Sequence, residues 1–196
     1  MSVRLPVLTE RIAIKHGLET PDLVACAGRA DQFLDDVRRM LLEKFPLETL
    51  PGIDIILIGS IAKRQCTKGS DLDFYGVTST PLQPGQTDQI VRAMLDFAGA
   101  AGYELPFAGG PTAVFVPRAE LEKFDLLNDT NRHLMRRTTL VTGSVSVYRP
   151  ELRAEILRNA LSSFVGRERE PRITGVVDQL VIRGRLDNLS TEMMRN

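Results

Sequence analysis

The sequence predicts an α/β fold, a small mixed β-sheet flanked by helices, with an all-helical C-terminal part. Three observations predict it. Ile53 to Gly59 and Pro111 to Pro117 are apolar runs of strand length, and Asp71 to Val77 alternates as a half-buried strand does. Helical periodicity precedes the first of these runs and separates the second from the third. After Arg118 the apolar residues fall mostly at helical spacing, interrupted at Gly143, Gly166 and Pro171. The expected division is a head with N-terminal helices over residues 1–118 and a helical region over 119–196.

Each element has a local reason. Thr20-Pro21-Asp22 offers an N-cap followed by proline in the first turn. Leu23, Val24, Phe33, Leu34, Val37, Leu41 and Leu42 then share a helical stripe, which Pro46 and Pro51-Gly52 close. Ile53 to Gly59 is apolar after its Asp, as suits a strand buried on both faces. Pro81 to Gly85 reads as a loop. Ile90, Val91, Met94, Leu95 and Ala98 mark a helix from Thr87 to Ala101, stopped by Gly102. Leu121 to Leu126, Asn131 to Val141, Pro150 to Phe164 and Gly175 to Leu186 are the helical segments of the C-terminal region.

Composition narrows the class. With 43% apolar and 26% charged residues among 196, the chain is neither collagenous nor wholly disordered. The longest uncharged apolar stretch, Leu105 to Pro117, is shorter than the ~20 residues that span a bilayer, so no membrane partner is expected. Met1 to Leu18 lacks an apolar signal core, and Cys26 and Cys66 are too few for a disulfide framework. A cytoplasmic location is therefore the expectation. Basic and acidic residues balance at 25 each, and aromatics are not interleaved with bases, so no nucleic-acid partner is expected. The balance conceals a skew: residues 121–196 carry 13 basic side chains, 12 of them arginine, against 10 acidic ones.

Residues 57–75, LIGSIAKRQCTKGSDLDFY, hold the chemistry. Gly59-Ser60 lies where a buried strand gives way to a polar stretch. A turn into a helix there would present unpaired backbone N–H groups to a phosphate, and Lys63, Arg64 and Lys68 add cations. Asp71 and Asp73, two apart on a strand, leave the same face. Adjacent carboxylates repel, and hard oxygen ligands of this kind suit Mg²⁺ held jointly with nucleotide phosphates. Together these parts describe phosphoryl or nucleotidyl transfer.

The spacing Gly59-Ser60, ten residues, Asp71-Leu72-Asp73 resembles the signature of nucleotidyltransferases of the DNA polymerase β superfamily. The small bacterial members, of the minimal and aminoglycoside nucleotidyltransferase kind, are the most similar. Gly69-Ser70 fits the small polar residues those proteins place before the first aspartate. The resemblance implies a small mixed sheet flanked by helices, a two-Mg²⁺ site, and transfer of a nucleoside monophosphate from an NTP to an acceptor hydroxyl. By position, Gly59 and Ser60 would hold the triphosphate, helped by Lys63, Arg64, Lys68 and Ser70, while Asp71 and Asp73 would bind metal and act in catalysis.

One departure matters. The family supplies a third carboxylate from a later strand, but Pro111 to Pro117 contains no Asp or Glu, and Ala113 and Phe115 stand at the interior positions expected to carry it. Glu104, Glu120 and Asp125 lie nearby in sequence. The acceptor is a small molecule on the first reading. On the alternatives the chain is an antitoxin-like nucleotidyltransferase that modifies or binds a partner protein, or a nucleotide-binding pseudo-enzyme. His16 and His133 form no metal motif, Cys66 reads as a plain loop residue, and Arg132, Arg136 and Arg137 read as a solvated helix face.

Overall fold

Helix α1, Pro21–Lys44, carries Asp22 in its first turn and Lys44 in its last, each matched to the partial charge of that helix end. This computed structural model describes residues 15–17, 21–67, 69–104, 113–123 and 131–168. The buried stripe of α1 runs through Ala27, Ala30, Phe33, Leu34, Val37 and Leu41. Leu23, Val24 and Leu42, expected on that stripe, are exposed. The first two lie a turn before the stripe begins, and Leu42 sits about 100° around the helix from Leu41.

Strand β1, Ile53–Leu57, is buried at all five positions. After it come a single helical turn, α2 (Gly59–Ala62), then β2 (Phe74–Thr78), α3 (Gln86–Ala100), β3 (Val114–Pro117) and α4 (Arg118–Glu122). Helix α5 (Asn131–Thr142), β4 (Val145–Ser146) and α6 (Pro150–Glu168) complete the described chain. The result is an α/β fold whose small mixed sheet has the order β3-β2-β1-β4. β1 pairs antiparallel with β2 and with β4, and β2 pairs parallel with β3.

The two faces of the sheet serve different helices. Ile53, Ile55, Leu57 and Phe74 pack against Phe33, Leu34, Val37 and Leu41 of α1 and Ile90 and Met94 of α3. Ile56, Tyr75, Val77 and Val116 pack against Leu121, Leu140, Leu152 and Ile156, from α4, α5 and α6.

Three expectations change. The strand expected from Asp71 starts instead at Phe74, because its partner β1 ends at Leu57 opposite it. Asp71 makes only an isolated parallel bridge to Glu104. Of the strand expected from Pro111, β3 covers Val114–Pro117 and Ala113 precedes it at φ 56°, while Pro111 and Thr112 lie outside the described residues. Ala113 and Phe115 pack on the α1–α3 side, with the Phe115 ring lying over Gly76; they are on the opposite face from the one expected to carry a third carboxylate. The C-terminal region is not all helix, since β4 comes from it. Residues 169–196, with the helix expected at Gly175 to Leu186, lie outside the described residues.

A carboxylate sits inside this sheet. Asp54 of β1 is fully buried, and its Oδ1 accepts hydrogen bonds from the Ser146 hydroxyl at 2.8 Å and the Arg149 backbone N–H at 2.7 Å. Oδ2 is buried without a hydrogen-bond partner. Desolvation pushes this carboxyl up to about 7, against the pull of those hydrogen bonds. The folded chain therefore holds the Asp54 proton to higher pH than the unfolded chain. Between the unfolded value of 3.8 and the folded one, this group's contribution to stability falls as pH rises. Asp54→Asn keeps an acceptor for both donors and removes the titration. Urea melts from about pH 5 to about pH 8 should show a shallower alkaline decline in that variant; identical slopes would place the titration elsewhere.

Candidate functional site

At the end of β1 the chain turns sharply, and Gly59 makes the turn possible. Its φ is +69°, in the left-handed region that a side chain disfavours. A Cβ there would lie 2.9 Å from Asp73 Oδ2 and 3.5 Å from Asp73 Cβ. The Asp73 carboxylate thus occupies the space a side chain would fill. The Ile58 N–H donates to the Asp73 carbonyl at 3.0 Å, which fixes the two segments side by side.

Ser60 follows, and its Oγ is buried without a hydrogen-bond partner. Such an atom costs about 1–3 kcal/mol unless something binds it. Ile61, fully buried, anchors the turn in the α1–α3 core. The helix expected here is only the four residues of α2, with no side-chain cap. Its dipole is correspondingly small, and what the turn offers is the Ser60 hydroxyl and the first-turn N–H groups, which have no intrahelical acceptor at any helix start.

Asp71 is exposed and Asp73 half-buried. Burial, and then the charge of Asp71, raise the Asp73 carboxyl above the ordinary carboxylate value. The Leu72 N–H donates to the Glu104 carbonyl at 3.0 Å, and the Glu104 N–H to the Ser70 carbonyl at 3.3 Å. This parallel bridge sets Glu104 opposite Asp71. Bridged residues share a face, so Asp71, Asp73 and Glu104 stand on one face, which continues into Tyr75. Glu104 was one of three candidates by sequence, and nothing in the spacing alone favoured it. Glu120 is instead engaged by His133 at 3.4 Å and Arg136 at 3.8 Å, and Asp125 lies outside the described residues. Among the described residues no three His, Cys, Asp or Glu side chains converge closely enough to hold a metal ion by themselves.

The expected phosphate-side residues separate into groups. Gly59, Ser60, Asp71 and Asp73 come together. Lys63 stands one turn further on, exposed, its stem running over Gly143. Arg64, at φ 60°, sends its guanidinium away to fork onto both Asp31 oxygens, at 3.0 and 2.8 Å. The Ser70 Oγ accepts from the Thr67 N–H at 2.9 Å and closes the loop before Asp71. Lys68 lies outside the described residues. Cys66 is buried, its Sγ 3.5 Å from the Tyr103 hydroxyl. Arg137, read from the sequence as solvated, is buried and donates to the carbonyls of Glu120 and Lys123, holding the end of α4.

No family model matches the chain, and no curated protein or solved structure matches it.

The Gly59–Asp73 contact has a measurable signature. Gly59→Ala should destabilise the fold by about 1–2 kcal/mol from its left-handed backbone alone, with a further cost from the displaced carboxylate. In an Asp73→Ala background that further cost should disappear, leaving a coupling energy in a double-mutant cycle of urea melts. Additive effects would mean that the two residues do not touch.

Proposed function

We propose that the protein is a Mg²⁺-dependent nucleotidyltransferase with a polymerase β-like head, moving a nucleoside monophosphate from an NTP to a hydroxyl of a small molecule. The observation that carries this reading is the Gly59–Ser60 turn pressed against Asp73, with a buried serine hydroxyl left without a partner. The residues fit the ions the reading needs. Two carboxylates that repel each other, one of them raised by burial and by its neighbour, gain from a shared cation. Mg²⁺ bound there would neutralise charge developing on the transferred phosphoryl group.

Each side chain then has a task. The bare Cα of Gly59 lets a phosphate approach the backbone, as any larger residue would not. The Ser60 hydroxyl donates to a phosphate oxygen. Asp71 and Asp73 supply the oxygen ligands, and Asp73 must first release any proton its environment favours. Glu104, the acid bridged beside Asp71, takes the proton of the acceptor hydroxyl. A second reading, nucleotide binding without turnover, is favoured by β3: Val114 and Val116, not acids, face the aspartates' side.

Mg²⁺ and an NTP together should raise Tm more than either alone, and Asp71→Asn with Asp73→Asn should abolish that synergy. Synergy surviving in the double variant would place the metal elsewhere. Tm synergy should also strengthen as pH rises through the raised value of Asp73. Glu104→Gln should lower pyrophosphate release by roughly 10²–10⁴ while NTP affinity is kept. Wild-type protein that binds Mg²⁺–NTP but releases no pyrophosphate with a broad acceptor panel supports the second reading.

A further inference from the structure

A cleft of about 390 Å³ opens beyond α2, between residues 62–65 and the turn joining α5 to β4. Lys63, Arg64, Gln65, Gly143, Ser144 and Arg153 are among its walls, and among the described residues no Asp or Glu lines it. Lys63 and Arg153 therefore face one concave space, with no acid on its lining among the described residues. Arg64 is already neutralised by Asp31. Lys63 and Arg153 are not: among the described residues, neither makes an ion pair.

Arg153 is held for use. Its Nε donates to Ser144 Oγ at 2.8 Å, and one terminal nitrogen reaches the Leu140 carbonyl at 3.4 Å. The Ser144 hydroxyl in turn donates to that same carbonyl at 2.8 Å. Two of the five guanidinium N–H groups are thereby committed and three remain. The orientation is fixed, and the open donors still need acceptors. Burial draws the guanidinium below its ordinary value, while Tyr75 and Asp54 act in the other direction without forming an ion pair. Half-burying a cation without a counter-charge is costly, and an anion in the cleft would offset that cost. Lys63 brings three further donors from the opposite wall, its stem packed across Gly143.

We infer that this cleft is a binding site for a phosphate-type oxyanion, held between Lys63 and Arg153. Its volume leaves ample room for a phosphate or diphosphate group between the two side chains. The inference rests on the cleft's own cations, so it holds whether or not Asp71 and Asp73 bind metal. Two sources share the chemistry: the outer phosphates of a donor nucleotide, and the phosphate of a phosphorylated acceptor.

Calorimetric titration of the full chain with pyrophosphate, free of metal, tests the site. Binding is expected to weaken as salt rises, and to fall roughly 10-fold or more in Lys63→Gln and in Arg153→Met, the range for charge-assisted hydrogen bonds. Arg153→Lys should recover part of the loss. Gly143→Ala provides a variant with little risk to the fold. Its new Cβ would come 3.0 Å from Lys63 Cε, so the flexible lysine must shift, and affinity should drop while Tm holds. Pyrophosphate affinity should persist in the Asp71→Asn, Asp73→Asn double variant, which separates this site from the metal reading. Competition between pyrophosphate and an NTP would identify the donor's phosphates as the source; simultaneous binding would identify a phosphorylated acceptor. No pyrophosphate binding by the wild type, or equal affinity in Lys63→Gln, Gly143→Ala and Arg153→Lys, would overturn the inference.

Discussion

Asp73 and Gly59 compete for one small volume, and Gly59 yields it by having no side chain. From this contact the rest of the candidate site takes its geometry. Leu57 pairs with Phe74, the Ile58 N–H meets the Asp73 carbonyl, and Gly59 then turns the chain away at positive φ. The register of β1 against β2 therefore decides which carboxylate faces the turn. A slip by one residue would send the aspartates' side chains to the other face of the sheet, among the apolar groups of α1 and α3.

The sheet keeps its chemistry on one side. The face toward α1 and α3 is apolar along β1 and β2. The other face starts at Asp71 and Asp73, passes Tyr75, and carries Asp54 within the packing of the C-terminal helices. Arg153 of α6 connects these regions, lining the cleft at one end and interacting with Tyr75 and Asp54 at the other. Polar groups placed this deep do not help a core form. Their cost is carried by the surrounding apolar contacts of Ile56, Val77, Leu140 and Ile156.

Much of this was legible because it is local. A continuous apolar run signals a strand buried on both faces, and Ile53–Leu57 is one. Gly59-Ser60 and Asp71-Leu72-Asp73 were visible through residue type and spacing, and the structure brings them together. What could not be read depends on partners far away in sequence. Arg64 offers a phosphate-binding cation on paper, yet Asp31, 33 residues earlier, takes its guanidinium. Glu104 reaches Asp71 only through a parallel bridge, while β3 pairs with β2 from Val114 onward. Ten residues of chain thus separate positions that face residues four apart, so counting along the sequence could not give the register. Strand β4 has two residues, too few to show any period.

Small as it is, β4 occupies the flank of β1 that β2 leaves free, and the Asp54 carboxylate fastens it there together with the first turn of α6. A chain severed at residue 118 would therefore not yield a self-sufficient head. It would bare the backbone of a strand whose every side chain is meant for the interior, and strip a buried acid of both its donors. Open apolar edges of that kind recruit other copies of themselves. The place where the sequence changes character, from strand-bearing to helix-rich, is thus a seam in composition only. Inheritance or engineering that treated it as a joint between separable modules would produce one half prone to aggregate and another without the sheet it folds against.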